Sequence, residues 1–300
     1  MQICMIGGDW LGALNVKTSI DMVRVTFSAD PETVALEVQK HWDRFSTQGT
    51  HVESFGYYSY RHLWTFPAGL SSVSILFGLN SDKQEGKKLG AIEWNPNKVV
   101  LGDSDVWPLV KQLLMFCKCF TLSRFDFACD LVGVRMSQCL LERGNKASLQ
   151  YFMGSTDAMT IYAGKQGSAG YVKVYDKQRE MIEKGLADPG IMTRYETSLK
   201  CDYSFLRMGG KTDFCGSLKA CTVPTLTILG EIGLGDEIDT PMQLILEGLR
   251  HAQHLFNLLS YRQRQKVKAL QCCTTVTPDL TVADELASSW YRRFYNDIIA

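Results

Sequence analysis

Residues 170–181 read "GYVKVYDKQREM". Side chains two apart on an extended chain share a face and lie roughly 6.5–7 Å apart along it. Tyr171, Lys173, Tyr175 and Lys177 therefore fall on one side, and Val172 and Val174 on the other. From Lys177 the pattern becomes a charged run that predicts a helix ending near Gly185. Three other stretches repeat the two-faced pattern. "AIEWN" sets Glu93 and Asn95 against Ile92 and Trp94, and "RFDFACD" sets Arg124, Asp126, Ala128 and Asp130 against Phe125, Phe127 and Cys129. "RYETSLK" sets Arg194, Glu196, Ser198 and Lys200 against Tyr195 and Leu199. Four such strands predict an α+β fold, an antiparallel sheet with one polar face and helices packed on the other.

Outward from these strands, "SIDMVRVTF" (19–27) alternates and reads as a first strand. A helix is expected after it, with Asp30 as N-cap and Pro31 at the first helical position. Aromatic residues 54–66 and "SSVSILFGL" (71–79) read as a strand pair, and residues 80–88 as a polar turn. Asn95-Pro96-Asn97 ends the next strand in a tight turn, and a helix is expected over 105–120. Beyond about Cys201 the character changes. Residues 240–271 read as one long helical stretch and 281–300 as another. The expected organisation is a domain over 1–205 followed by a mostly helical C-terminal region over 206–300.

Composition bounds the function classes. The chain has 300 residues, 45% of them apolar and 21% charged, as in an ordinary soluble globular protein. Its formal net charge is zero, so binding to nucleic acid must rest on local patches rather than on a global field. The ten cysteines follow no zinc pattern: Cys117 and Cys119 are separated by one residue, and Cys272 and Cys273 are adjacent. They read as small buried hydrophobes of a reduced compartment. The N-terminal segment has no basic leader and contains Asp9, and no apolar run is long enough to span a bilayer. A soluble cytoplasmic protein with no membrane partner is expected.

A wet sheet face accounts for polar residues on any one strand. The inventory here is more particular: a tyrosine between two lysines, and arginine beside acid. That set suits metal-assisted chemistry on a phosphate. A tyrosine hydroxyl has a pKa of about 10 and is a poor nucleophile at neutral pH. Nearby ammonium groups or a divalent cation favour the phenolate and activate it. Carboxylates such as Glu93 and Asp126 suit a hard metal, and Lys173 and Lys177 suit flanking phosphates as point charges. Tyr175 attacking a phosphodiester would give a 5′-phosphotyrosine and a 3′ hydroxyl, an exchange that can later be reversed to reseal the strand.

Four blocks carry a family resemblance: "IEWNPNK" (92–98), "LSRFDFACD" (122–130), "TIYAGKQGSAGYVKVYDKQRE" (160–180) and "TRYETSLK" (193–200). Together with Asp21 they cover roughly residues 19–205. In order and spacing the chain resembles the trans-acting rolling-circle replication initiators of small Gram-positive plasmids and the related relaxases of integrative conjugative elements. By that resemblance the polar face is catalytic, Tyr175 is the nicking tyrosine, and Lys173 and Lys177 flank it. Glu93, Asp126, Asp130 and Glu196 are the acidic set, with Glu93 and Asp126 favoured as ligands of Mg²⁺ or Mn²⁺. Arg124, Lys165, Ser168 and Arg194 lie in the matched blocks as DNA contacts. The resemblance also implies a hairpin origin or transfer site in DNA, a host helicase recruited after nicking, and a homodimer. The chain departs from the family at Lys173, where arginine is usual, and in the less basic "KQGSAG".

From Arg250 to Pro278 there is no acidic residue, while Arg262, Arg264, Lys266 and Lys268 are present, so a DNA-site recognition surface is expected there. Other constellations fail. None of the five histidines forms the closely spaced metal pair of another nickase class; His251 and His254 stand at helical spacing without a third ligand. No arginine–histidine set for a tyrosine recombinase assembles, and "GEIGLG" (230–235) lacks the residues of a phosphate loop. Two rivals stay open: a non-catalytic DNA-binding regulator on the same scaffold, and a carboxylate–metal phosphodiesterase that uses water.

Overall fold

The computed structural model describes residues 14–28, 36, 39–40, 50–53, 60–79, 90–102, 104–115, 117, 119–146, 148–153, 159–208, 211–230, 240–270 and 272–299. Of the helix expected from Asp30, residues 36, 39 and 40 are described and are helical; the turn over 80–88 and residues 231–235 of "GEIGLG" lie outside the described residues. The elements are β1 (Val16–Ser28), β2 (Thr50–Glu53), β3 (Tyr60–Ala68), β4 (Ser71–Leu79), β5 (Gly90–Trp94), α1 (Val106–Met115) and β6 (Cys119–Val132). Then come β7 (Cys139–Leu141), β8 (Leu149–Met153), β9 (Met159–Ala163), β10 (Tyr171–Asp176), α2 (Lys177–Glu183), β11 (Met192–Met208), β12 (Lys211–Cys215) and β13 (Leu226–Leu229). The chain continues through α3 (Thr240–His251), α4 (Tyr261–Lys268), β14 (Cys273–Val276) and α5 (Leu280–Phe294). The architecture is α+β, a large antiparallel sheet with helices and a helical C-terminus. Among the described residues no helix is long and apolar enough to cross a membrane.

Packing gathers the chain into two compact units, each from three segments. One comprises Met1–Thr18, Ala128–Ser198 and Ala220–Leu280; the other comprises Ser19–Phe127, Leu199–Lys219 and Thr281–Ala300. Residue 205 falls inside β11.

In the second unit the strand order runs β2-β3-β4-β5-β1-β6. Val23 of β1 and Val73 of β4 both stand opposite Trp94 of β5, and Val25 and Ile75 both stand opposite Ile92. This apolar face is covered by helices. The buried side chains of α1 recur at Trp107, Val110 and Leu114, one stripe of a 3.6-residue period. Trp94 meets Trp107 edge-on at 5.4 Å and Phe294 of α5 at 5.2 Å between ring centroids. The Tyr291 hydroxyl of α5 donates to the Phe120 carbonyl at 3.2 Å. Gly90 is required where it stands, because a Cβ there would run into the Phe27 ring and the Leu76 carbonyl.

In the first unit, β11, β10, β9 and β8 lie side by side in that order. Val172 and Val174 of β10 pack with Ile161 and Ala163 of β9 and with Tyr195 of β11, all fully buried. The Tyr195 hydroxyl donates to the Pro224 carbonyl at 2.7 Å. A small sheet, β14-β13-β7, carries a second apolar cluster that includes Leu140, Leu229, Leu246, Leu249, Phe256 and Val267. The stretch expected as one helix over 240–271 is two helices separated by a 3-10 turn, Gln253–Leu258. The break has a local cause. Ser260 and Gln263 form a reciprocal capping box that starts α4 afresh, while Asn257 bonds the Leu141 carbonyl at 2.9 Å and the Arg143 amide at 2.9 Å. The C-terminal region also holds strands β12 to β14 among its helices.

Candidate active site

Tyr175 sits at the end of β10, and the register of its neighbours sets its surroundings. Across the pairing with β11, Tyr175 stands opposite Arg194, Lys173 opposite Glu196, and Tyr171 opposite Ser198. Across β9, Tyr175 faces Thr160 and Lys173 faces Tyr162. Directly paired residues share a face of the sheet, so the polar face expected from the alternation is assembled here. Asp176 then accepts from the Arg179 amide at 2.9 Å, an N-cap that turns strand into helix one residue after the tyrosine.

Tyr175 is only 6% exposed, and its hydroxyl donates to Glu196 Oε2 at 3.5 Å. The cations lie over the ring rather than at its hydroxyl. Lys173 Nζ is 4.0 Å from the ring centroid and Lys177 Nζ is 5.8 Å from it. An ammonium over an aromatic face is attracted by the ring quadrupole. Lys177 also binds Glu180 Oε2 at 2.5 Å, and Lys184 binds the other oxygen of the same carboxylate. Burial pushes the Glu180 carboxyl up, but the two lysines outweigh it and hold the group at about 2. Arg194, buried, makes a two-pronged contact with Asp130, Nε to Oδ1 at 2.6 Å and Nη2 to Oδ2 at 2.8 Å. That fork fixes both groups beside the tyrosine strand.

The remaining expected site residues fall as follows. Ser168 donates to the Lys165 carbonyl at 2.5 Å within the turn between β9 and β10, leaving the Lys165 side chain exposed. Glu93 is ion-paired with Arg24, which stands opposite it on β1. Asp126 is engaged by Arg124, with Nη2 at 3.1 Å from both carboxylate oxygens. Three of the four expected metal ligands therefore each hold an arginine, and Glu196 holds Tyr175. Among the described residues no group of three histidine, cysteine, aspartate or glutamate side chains is placed to hold a metal ion. Each of the four carboxylates is thus engaged by a side chain of the protein itself.

On α4, Arg262 and Lys266 are exposed, whereas the other two expected contacts are tied into the fold. Arg264 donates to the Leu259 carbonyl at 2.6 Å, and Lys268 binds Glu142 at 2.7 Å. Sequence spacing also missed a histidine pair. His51 Nε2 and His62 Nδ1 lie 3.3 Å apart with stacked rings, on strands β2 and β3. Cross-strand partners have no fixed separation in sequence, so no spacing rule finds them. The role of Glu180 was missed for a different reason: a charged helical turn is the usual reading of "KQREMIEK", and only the fold turns Lys177 inward.

No protein-family model matches this chain, and no curated protein matches it. Among solved structures it is similar to a rolling circle replication initiator protein from Geobacillus stearothermophilus. That likeness has 15% identity and a TM-score of 0.36, and covers 62% of this chain and 75% of the other. So distant a likeness carries no argument about mechanism or substrate.

Proposed function

We propose that this chain is a site-specific DNA nicking and strand-transferring enzyme, acting through a 5′-phosphotyrosine at Tyr175. The observation that carries the reading is the contact of the Tyr175 hydroxyl with the Glu196 carboxylate at 3.5 Å, on a strand face that also holds Lys173 and the Arg194–Asp130 pair. The hydroxyl of this largely buried tyrosine meets a carboxylate that can accept its proton, with an ammonium over the ring. In the proposed step Tyr175 Oη attacks the phosphorus while its proton passes to Glu196. The bond from phosphorus to the 3′ oxygen breaks, and that oxygen leaves as a hydroxyl with the proton that Glu196 took up, relayed through water. The 5′ phosphate stays esterified to the tyrosine. Attack by a 3′ hydroxyl reverses the step and reseals a strand without ATP.

Lys173 supplies positive charge where the phosphate arrives, and the exposed Arg262 and Lys266 suit duplex phosphates. Residues 206–300 belong to this reading as a site-recognition region, with a helicase and a second copy of the chain as partners. Mg²⁺ or Mn²⁺ enters as a requirement to be tested, and the step above uses protein groups alone. Nicking that survives EDTA would remove the cation from the reading.

The test pairs wild type with Tyr175→Phe on supercoiled DNA carrying the element's own sequence, with Mn²⁺. Denaturing gels and peptide mapping read the products. A covalent adduct on Tyr175, absent from the Phe variant, is the expected result. Cleavage by both proteins without adduct points instead to a water-using phosphodiesterase. Tight binding without cleavage points to a regulator.

A further inference from the structure

The polar face that carries Tyr175 continues across β9 to β8, and its residues there are aromatic. Register places Gln150 of β8 opposite Tyr162 of β9, Phe152 opposite Thr160, and Tyr162 opposite Lys173 of β10. Phe152, Tyr162, Tyr171, Lys173 and Tyr175 therefore share one side of the sheet. Phe152 meets Tyr162 edge-on with centroids 5.4 Å apart, and Tyr162 stacks on Tyr171 at 6.1 Å with planes 17° apart. Phe152 is 54% exposed on the last strand in the order, and the two tyrosines are half-buried.

We propose that Phe152, Tyr162 and Tyr171 form a stacking strip for the unpaired bases of a single DNA strand, laid on the face beside Tyr175. Aromatic pairs on a sheet also arise from packing alone, and two features argue for more. The rings are interleaved with Gln150, Thr160, Lys173 and Ser198, a mixture that suits bases and phosphates and would weaken an apolar protein contact. Positive charge brackets the strip as well, with Lys173 directly opposite Tyr162 and the exposed Lys165 just beyond the end of β9. Each base has a π face, so such a strip holds a strand with little regard to sequence. Sequence choice is thereby left to other contacts, while the strip keeps the strand open and aligned beside the tyrosine.

The choice of ligand rests on the nicking reading, so the test is read without nicking. In a Tyr175→Phe background, the anisotropy of a fluorescein-labelled, mixed-sequence single-stranded 12-mer is compared with that of its duplex. Phe152→Ala, Tyr162→Ala and Tyr171→Ala are each expected to weaken single-strand binding about 5- to 150-fold, the range for one base–aromatic stack. Duplex binding is expected to stay within about twofold, and Tyr162→Phe and Tyr171→Phe to keep the affinity, since they keep the ring and guard against misfolding. Unchanged affinity in all three Ala variants overturns the proposal. So does equal loss for duplex, or a loss in the Phe variants as large as in the Ala ones. Adduct formation with Tyr175 intact is scored separately. A strip that fails while the adduct forms sinks only the strip; stacking losses without any adduct sink only the nicking reading.

Discussion

Around Tyr175 the charges are arranged by direction. Glu196 lies at the hydroxyl, Lys173 over the ring, and Arg194 opposite in register but turned to Asp130. In the proposed mechanism Glu196 takes the phenolic proton. Glu196→Gln keeps the shape and removes the base, so adduct formation should slow by about 10²–10⁴-fold, the usual span of general base catalysis, with DNA affinity kept. Single-turnover rates beside binding curves would show it. Glu180 makes a separate, structural prediction. Its folded carboxyl is held at about 2, below the ordinary 4.5, so its contribution to stability is complete above 4.5 and is lost as pH falls toward 2. Glu180→Gln should lower the urea midpoint at pH 6, and the gap to wild type should narrow below pH 4.5 and close only near pH 2.

Among the elements, β4 stands over the same residues, 71–79, that its alternation marks in the sequence, and the faces of β5, β6, β10 and β11 follow from period two. The polar face was legible for that reason. Which residues meet across it was not, because register depends on pairing and no local rule sets it. Arg194 opposite Tyr175, and His51 beside His62, are of that kind. The break before α4 was hidden because the hydrophobic period runs on through 253–258, while Ser260 quietly restarts the hydrogen bonding. Exposure on α4 then separates residues that composition had grouped. Replacing Arg262 and Lys266 by alanine should weaken duplex binding and lower the slope of log K against log salt by about 0.9 for each phosphate no longer neutralised. Lys268→Ala should act on stability through Glu142 instead. Binding titrations over a salt series, beside thermal melts, would divide the two roles.

At the scale of the molecule, packing gathers segments far apart in the chain. Trp94 lies against Trp107 and Phe294, and Tyr291 reaches back to the Phe120 carbonyl. Trp94→Ala should therefore cost about 3–5 kcal/mol, read as a lower denaturation midpoint with the ordinary slope. The same packing bears on how the protein is made. The unit containing Trp94 takes its last segment from Thr281–Ala300, and translation proceeds at about 5–20 residues per second. Trp94 thus leaves the ribosome on the order of ten seconds or more before Phe294 arrives to cover it. During that interval α1 can already cover part of the apolar face, while the part that Phe294 covers is left open. Co-expressed chaperones should therefore raise the soluble yield of the protein, read as soluble against total protein on gels.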